Sequence, residues 1–367
     1  MDFTLTEEQT LLRDSARRYF AKSTDLASPR IDSGKVWTDI AEMGWLAVMI
    51  PMDLSGFGGS IVDGCLLMRE LGRAHVGIPF AQAAILGART FLKDPHMLEQ
   101  IAEGKAKLAY VLQDDAADPL RFEKSTHGYT LRGAKPFISC CSDTSTIIVK
   151  AFDGTGTIPA VFRLPKELPL LNLNSYSTLD GVGAASVVFD ALEISGDACL
   201  AVGEAAQDVV EELELAACLA FSAEAVGLME FLVNATREYT ETRMQFGQKI
   251  SGFQVVRHKV VEMYALSQLA GSLVFQAADT FDRLGRTAET RQAVRAAFSY
   301  VGRQGRRVGK DAIQLHGAIG TMNELPIGHA FARLVAISQS CGGASMHEIN
   351  YAEQCMTVGD TSRVWAL

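Results

Sequence analysis

Residues 240 to 260, TETRMQFGQKISGFQVVRHKV, set an arginine (Arg243), a Phe–Gly turn (Phe246, Gly247), a basic residue and a Phe–Gln pair (Phe253, Gln254) within a dozen positions. A guanidinium can give bidentate hydrogen bonds to a phosphate, and a glycine lets the backbone approach one closely. The simpler alternative is that Arg243 only closes a helix C-terminus and neutralises its dipole. A second run, QLHGAIG, carries Gln314, Gly317, Ala318 and Gly320. For proton chemistry the sequence offers Glu224 in ACLAFSAEAVGLM, flanked by apolar residues on every side. A buried carboxylate holds its proton more tightly than a solvated one, which suits proton exchange near neutral pH. Its alternative role is a hydrogen-bonded partner for a neighbouring helix or for Arg69 or Arg73. Glu214, in VVEELELA, belongs to the kind of acidic stretch that marks a solvated face. His316 and His347 also titrate, but a lone histidine is usually structural, and no metal-ligand set is visible.

Elements must position these groups. Thr6 followed by Glu7, Glu8 and Gln9 predicts a helix start, a hydroxyl cap before an acidic first turn. Leu11, Leu12, Ala16 and Tyr19 then recur at helical spacing, and the pattern returns in VWTDIAEMGWLAVMI, GCLLMRELGRAH and AQAAILGARTFL. LSGFGGS, at 54 to 60, reads as a loop between two of these helices. From Lys107 to about Ala201 come short β-prone runs, LAYVLQ, GYTLRGAKPFIS, TSTIIVKAF, IPAVFRL and AASVVFDALEI, bounded by Gly, Asp, Ser and Pro; these predict a small antiparallel β domain. Helical spacing resumes near Glu204, with one long helix ending near Arg243 and two more across 254 to 317. The expected domains are 1–105 (helical), 106–201 (β) and 202–367 (helical).

With 367 residues the chain is long enough for two or three domains. Its 34 basic and 43 acidic residues give a net charge of −9, which excludes a nucleic-acid surface built on clustered Lys and Arg. Seven scattered cysteines without a CxxC pair read as reduced thiols of a cytoplasmic protein. The N-terminal stretch is amphipathic but lacks the apolar core of a signal peptide, and no uncharged apolar run approaches the ~18 residues of a membrane span.

The helix–strand–helix order and the two runs resemble the acyl-CoA dehydrogenase family along the whole chain. The matching residues are Arg243, Phe246, Gly247, Phe253 and Gln254 for the first signature, and Gln314, Gly317, Ala318 and Gly320 for the second; FTLTEEQTLLRDSARRYF and MRELGRA match as well. The resemblance implies a helical N-terminal domain, a central antiparallel β-barrel domain and a C-terminal four-helix bundle. It also implies FAD as cofactor, an acyl-CoA thioester as substrate, α,β-desaturation, and electron-transfer flavoprotein as electron acceptor. Arg243 would then serve the FAD pyrophosphate, Gly317 the close backbone approach, Gln254 and Gln314 the adenosine and ribose polar atoms, and Phe246 the adenine. In the family these residues reach the flavin of a neighbouring subunit.

Two parts depart from the family. The strand-loop that holds a subunit's own flavin corresponds to YVLQDDAADPL, residues 110 to 120. Tyr110 survives, Gln113 replaces a threonine, and Asp115 and Pro119 fall where Pro and Ser are usual. Phe137 and Ser139 in FIS are conservative replacements in the next flavin-binding element. The two usual positions of the catalytic carboxylate fall on Gly342 and Ala217, leaving Glu224 as the remaining catalytic candidate. The HGAIGTMNELPIGHAF run and the AEAVGLM helix look most like bacterial dehydrogenases of paired, unlike subunits acting on dicarboxylic, aromatic or steroid side-chain thioesters. A subunit lending half a cofactor site to a different acyl-CoA dehydrogenase chain, in a dimer or tetramer, is the expected role. The alternatives are a flavin-free or weakly flavinylated non-catalytic partner subunit and a flavin oxidase or monooxygenase on the same fold.

Overall fold

Thr6 starts the first helix as its neighbours imply. Its Oγ1 accepts from the Gln9 amide at 3.1 Å, and Gln9 Oε1 accepts from the Thr6 amide at 3.2 Å. This exchange satisfies two amides that helix geometry leaves without partners. The computed structural model describes residues 4–23, 33–113, 119–139, 144–166, 172–322 and 325–358. Its elements are α1 (Glu7–Ser23), α2 (Ser33–Glu42), α3 (Ile61–Arg73), a π-helical stretch Ala81–Gly87 running into the single turn α4 (Ala88–Thr90), and α5 (Pro95–Ala102). Strands β1 (Leu108–Val111), β2 (Arg121–Ser125), β3 (Gly128–Ser139), β4 (Thr146–Asp153), β5 (Pro159–Pro165), β6 (Asn172–Tyr176), β7 (Ala184–Ser195) and β8 (Cys199–Val202) follow. Helix α6 (Glu204–Thr242), a small hairpin, α7 (Gln254–Leu284), α8 (Ala288–His316), α9 (Pro326–Gln339) and α10 (Ala344–Val358) complete the chain.

These elements form two compact units. One comprises Met1–Val36, Gly59–Gly77 and Cys218–Leu367, the other Trp37–Gly58 and Ile78–Ala217. In the second unit the eight strands make one sheet in the order β6-β7-β3-β2-β4-β5-β8, with β1 beside β4. Alternation along each strand predicts antiparallel pairing, and most neighbours obey. However, β1 and β2 both run parallel to β4. Side-chain alternation identifies a strand but not its partner, and the chain between β1 and β4 supplies the long crossover a parallel pair needs. β7 buries every second residue from Val187 to Ile194 except at a bulge around Ala191. Its inward side chains meet Phe122, Leu131 and Phe162 in a closed core.

In the first unit α3 and α6 cross backbone to backbone. A Cβ at Gly72 would overlap the Glu224 carbonyl, and one at Gly227 would overlap the Arg69 carbonyl. Only glycine at both positions permits this approach. The crossing is flanked by charge: Glu230 accepts from Arg69 and Arg73, and the almost fully buried Glu70 accepts from Arg17 at 2.8 Å. Asp282 of α7 closes the N-terminus of α3, accepting from the Ile61 and Val62 amides at 2.9 and 3.2 Å. An 18-residue stretch of α6 is long and apolar enough to cross a membrane, but 94% of it is buried inside the protein.

Candidate functional site

At the end of α6 the chain makes a two-residue hairpin, β9 (Met244–Gln245) with β10 (Gln248–Lys249), in which Gln245 faces Gln248 and Met244 faces Lys249. The Ile250 amide donates to the Arg243 carbonyl at 2.9 Å, closing the loop on itself. The connecting residues, Phe246 and Gly247, both have positive φ, 53° and 79°, as a tight hairpin requires. Glycine adopts this backbone freely, whereas phenylalanine pays roughly 1–2 kcal/mol for it. Yet Phe246 is 90% exposed, its ring meeting that of Phe253 edge-on with centroids 6.1 Å apart. A large exposed ring on strained backbone marks this turn as a candidate contact site. The Arg243 guanidinium beside it is exposed and has no hydrogen-bond or ion-pair partner among the described residues.

The second run lies at the same end of this unit. Tyr239, one turn before Arg243, stacks on the His316 ring with centroids 4.5 Å apart and donates to the His316 carbonyl at 3.4 Å. Lys259 at the start of α7 pairs with Asp311 near the end of α8 at 3.2 Å, and Arg307 pairs with Glu262. This antiparallel register sets Gln254, the first residue of α7, level with the last turn of α8, where Gln314 is exposed. Gln254 Nε2 lies 3.4 Å from His258 Nε2. Gly317 ends α8 at φ 67°, ψ −145°, where its amide donates to the Gln314 and Ile313 carbonyls. A side chain there would be strained, and the surrounding space is open. The structure thus gathers Arg243, Phe246, Gln254, Gln314 and Gly317. Tyr239, which ties the two runs together, was not singled out from sequence, because a tyrosine one turn before a helix end carries no signal of its own. His316 is locked by Nδ1 donation to the Ala312 carbonyl at 2.9 Å, and burial lowers its pKa.

The residues expected to hold the chain's own flavin lie in the second unit. The Tyr110 hydroxyl is buried against Thr90 Oγ1 at 2.9 Å, and burial raises its pKa. The Gln113 carbonyl accepts at 3.0 Å from Lys135, a lysine only 1% exposed. Asp115 lies outside the described residues. Phe137 is 52% exposed near the end of β3, and Ser139 pairs with Ala184 in the β3–β7 ladder.

Glu224 is buried, and both its oxygens are taken: Arg333 Nε donates to Oε1 at 2.6 Å and Nη2 to Oε2 at 2.8 Å. Arg69 and Arg73, the partners suggested by sequence, instead serve Glu230. His75, held at φ 55°, borders this pair together with His329; burial, then His329, lowers its pKa. Of the two usual base positions, Ala217 is buried in α6. Gly342 lies in the turn between α9 and α10, where Cys341, Gly342 and Gly343 all have positive φ. His347 Nε2 donates to the Cys341 carbonyl at 2.8 Å and steadies that turn. Burial lowers the His347 pKa.

Comparison with known proteins shows which family this chain belongs to. Residues 6–93 match the acyl-CoA dehydrogenase N-terminal domain and residues 216–352 the acyl-CoA dehydrogenase C-terminal domain. A probable acyl-CoA dehydrogenase of Bacillus subtilis, YngJ, is 26% identical, covering 88% of this chain and 91% of its own. Mitochondrial isovaleryl-CoA dehydrogenase of Bos taurus is 23% identical, covering 88% and 82%. In fold, the chain superposes on the ChsE4–ChsE5 complex of Mycobacterium tuberculosis with a TM-score of 0.87 at 20% identity, over 97% of this chain and 99% of that one. The chain belongs to the acyl-CoA dehydrogenase family. Its members are FAD-dependent oxidoreductases acting on the CH–CH group of acyl-CoA thioesters.

Proposed function

We propose that this chain is one subunit of a heteromeric FAD-dependent acyl-CoA dehydrogenase, in which it lends half a cofactor site to a flavin held by a different chain. The observation that carries this reading is the end of the first unit where Arg243, Phe246, Gln254, Gln314 and Gly317 come together. The donor set fits the cofactor: an unpartnered guanidinium for the pyrophosphate, two exposed carboxamides for adenosine and ribose, an outward ring for the adenine, and a glycine turn with open space around it. When bound, FAD supplies the two-electron acceptor of the desaturation. Arg243 binds, Gln254 and Gln314 orient, and Phe246 excludes water from the adenine edge. Electrons would leave through electron-transfer flavoprotein.

A heteromer is favoured because the chain has no carboxylate at Gly342 or Ala217, while Gln113 and the 114–119 segment depart from the family's receiving loop. Both oxygens of Glu224 are held by Arg333, which supports a structural role for it. The solved ChsE4–ChsE5 relative is itself a complex of two named chains. A weakly flavinylated, non-catalytic partner subunit is the second reading, supported by the same altered loop. To test the assignment, the isolated chain is titrated with FAD and assayed with an artificial electron acceptor and a panel of acyl-CoA thioesters. The expected outcome is substoichiometric flavin and little turnover, because half a site gives only part of the binding free energy and each ~1.4 kcal/mol lost costs tenfold in affinity. One tightly held flavin per chain with rapid turnover would leave an ordinary homo-oligomeric dehydrogenase instead.

A further inference from the structure

Glycine, or sometimes asparagine, is usual where a helix ends on a left-handed residue, yet α3 ends on His75 at φ 55°. The His75 amide donates to the Gly72 carbonyl and the Val76 amide to the Leu71 carbonyl, both at 3.0 Å. A residue with a Cβ is strained in that position, so contacts of the imidazole must hold it there. The ring lies 12° from parallel to the Phe231 ring of α6, with centroids 6.3 Å apart. It stands 6.3 Å from the His329 ring of α9 and donates to the His329 backbone carbonyl. All three residues belong to the first unit.

His329 completes the first turn of α9. In the same turn Gly328 packs on the Gly320 carbonyl, so closely that a Cβ there would stand 3.3 Å from the oxygen. Gly320 closes the run that carries Gln314 and Gly317. The turn held by His75 therefore backs one edge of the proposed half-site. One turn further along α9, Arg333 ties the helix to Glu224 of α6.

The charged and titratable groups facing His75 are His329 and Arg333 from α9 and Glu224 from α6. On its own helix, Arg73 is taken up by Glu70 and Glu230. Glu224 and the His329 carbonyl favour a proton on His75; burial first, then His329 and Arg333, oppose it, and the opposition prevails. Glu224 is already matched by Arg333, so a proton on His75 adds a charge to a neutral buried pair. As pH falls through 6.5 and below, an opened form takes up the proton first, and the closed form loses ground.

We infer that His75 is a positioning residue for the half-site: its uncharged imidazole clasps the first turn of α9 against the 317–320 run, and a proton on it releases that turn. What the clasp serves rests on the half-site reading; the clasp itself does not.

Native-state hydrogen exchange, corrected for the intrinsic effect of pH on amide chemistry, reads the clasp at residues 330 to 333, whose helical acceptors are the first-turn carbonyls. Between about pH 7.5 and about pH 5.5 their protection in the parent should fall roughly tenfold, while residues 222 to 230 of α6 keep theirs. His75→Asn, which tolerates positive φ, and His75→Gln take up no proton and should abolish the fall; His329→Gln should retain it. No fall in the parent, an equal fall in both His75 variants, or its loss in His329→Gln overturns the inference. Should neither His75 variant fold, the His75 imidazole is titrated by NMR in the parent, and a midpoint different from that of the exchange change overturns it equally. FAD affinity, measured on the same proteins, should weaken in the parent over this pH range and hold steady in His75→Asn. Exchange that falls while the parent's FAD affinity stays constant overturns the positioning role. A parent that binds no FAD even at about pH 7.5 defeats the half-site reading instead, and exchange alone then judges the clasp.

Discussion

Replacing Arg333 with methionine decides whether Glu224 is a structural ion or a proton carrier. The carboxylate side chain is 7% exposed and the guanidinium 19%, joined by hydrogen bonds of 2.6 and 2.8 Å. Removing one member of a buried pair leaves the other charge uncompensated, at a cost of about 3–5 kcal/mol. The partial exposure of Arg333 lets water reach its end of the pair, so the lower end, about 3 kcal/mol, is expected. At roughly 2–4 °C per kcal/mol for domains of 150–250 residues, the melting temperature should fall by about 6–12 °C. Glu224→Gln should lose less, because its amide oxygen still accepts from Arg333. The double variant should recover much of the Arg333→Met loss, giving a coupling of about 2 kcal/mol in a double-mutant cycle. Thermal melts of the four proteins give the cycle. If Arg333→Met and Glu224→Gln both melt like the parent, the structural assignment of Glu224 is wrong.

Other outcomes follow from the same geometry. Arg243→Ala should weaken FAD binding about ten- to hundredfold, the loss of a charge-assisted pair worth on the order of 1.5–3 kcal/mol, while its melting temperature stays within about 2 °C because the side chain has no internal partner; equal FAD content after gel filtration would remove Arg243 from the site. Gly342→Glu places a side chain at φ 85°, costing roughly 1–2 kcal/mol, and should give no dehydrogenase activity in the isolated chain; a gain would show that the 110–120 half-site works. Burial lowers the pKa of His75, His316 and His347 from 6.5. The unfolded chain therefore takes up protons first: their stabilising effect is complete above about pH 6.5 and declines as pH falls through 6.5 toward the lower folded values. Melting temperatures between pH 7.5 and 5.5 should fall with acidification, and the triple variant to glutamine should flatten that slope; an unaltered slope would contradict the assignment.

Periodicity made most of the fold legible, because a 3.6-residue or two-residue repeat of burial is a local property of the chain. The cap at Thr6, the long helix ending at Thr242 and the strand region from Leu108 to Val202 could all be read that way. Pairing is not local. Nothing in LAYV announces that β1 runs parallel to β4, and nothing around Glu224 names Arg333, which lies 109 positions away. The sequence marked Glu224 as buried but could not choose among the arginines, and the two nearest in expectation belong to Glu230. The proposed lending half was legible as a candidate because its residues fall in two short runs with fixed spacing. Tyr239 was not, since its value lies in touching His316, 77 positions on.

The glycine crossing of α3 and α6 has a consequence for how the protein breathes. Side chains between helices act as springs, because rotamers can change and the gap can widen or narrow. At Gly72 and Gly227 there is no such spring, and the carbonyls of Glu224 and Arg69 face bare backbone. Neither helix can slide or fray there without parting the other. Residues 64 to 72 and 222 to 230 should therefore open to solvent only together, as a single cooperative unit in native-state hydrogen exchange. Their amides would then report the global unfolding of this unit, while the hairpin at 244 to 249 exchanges almost freely a few turns away.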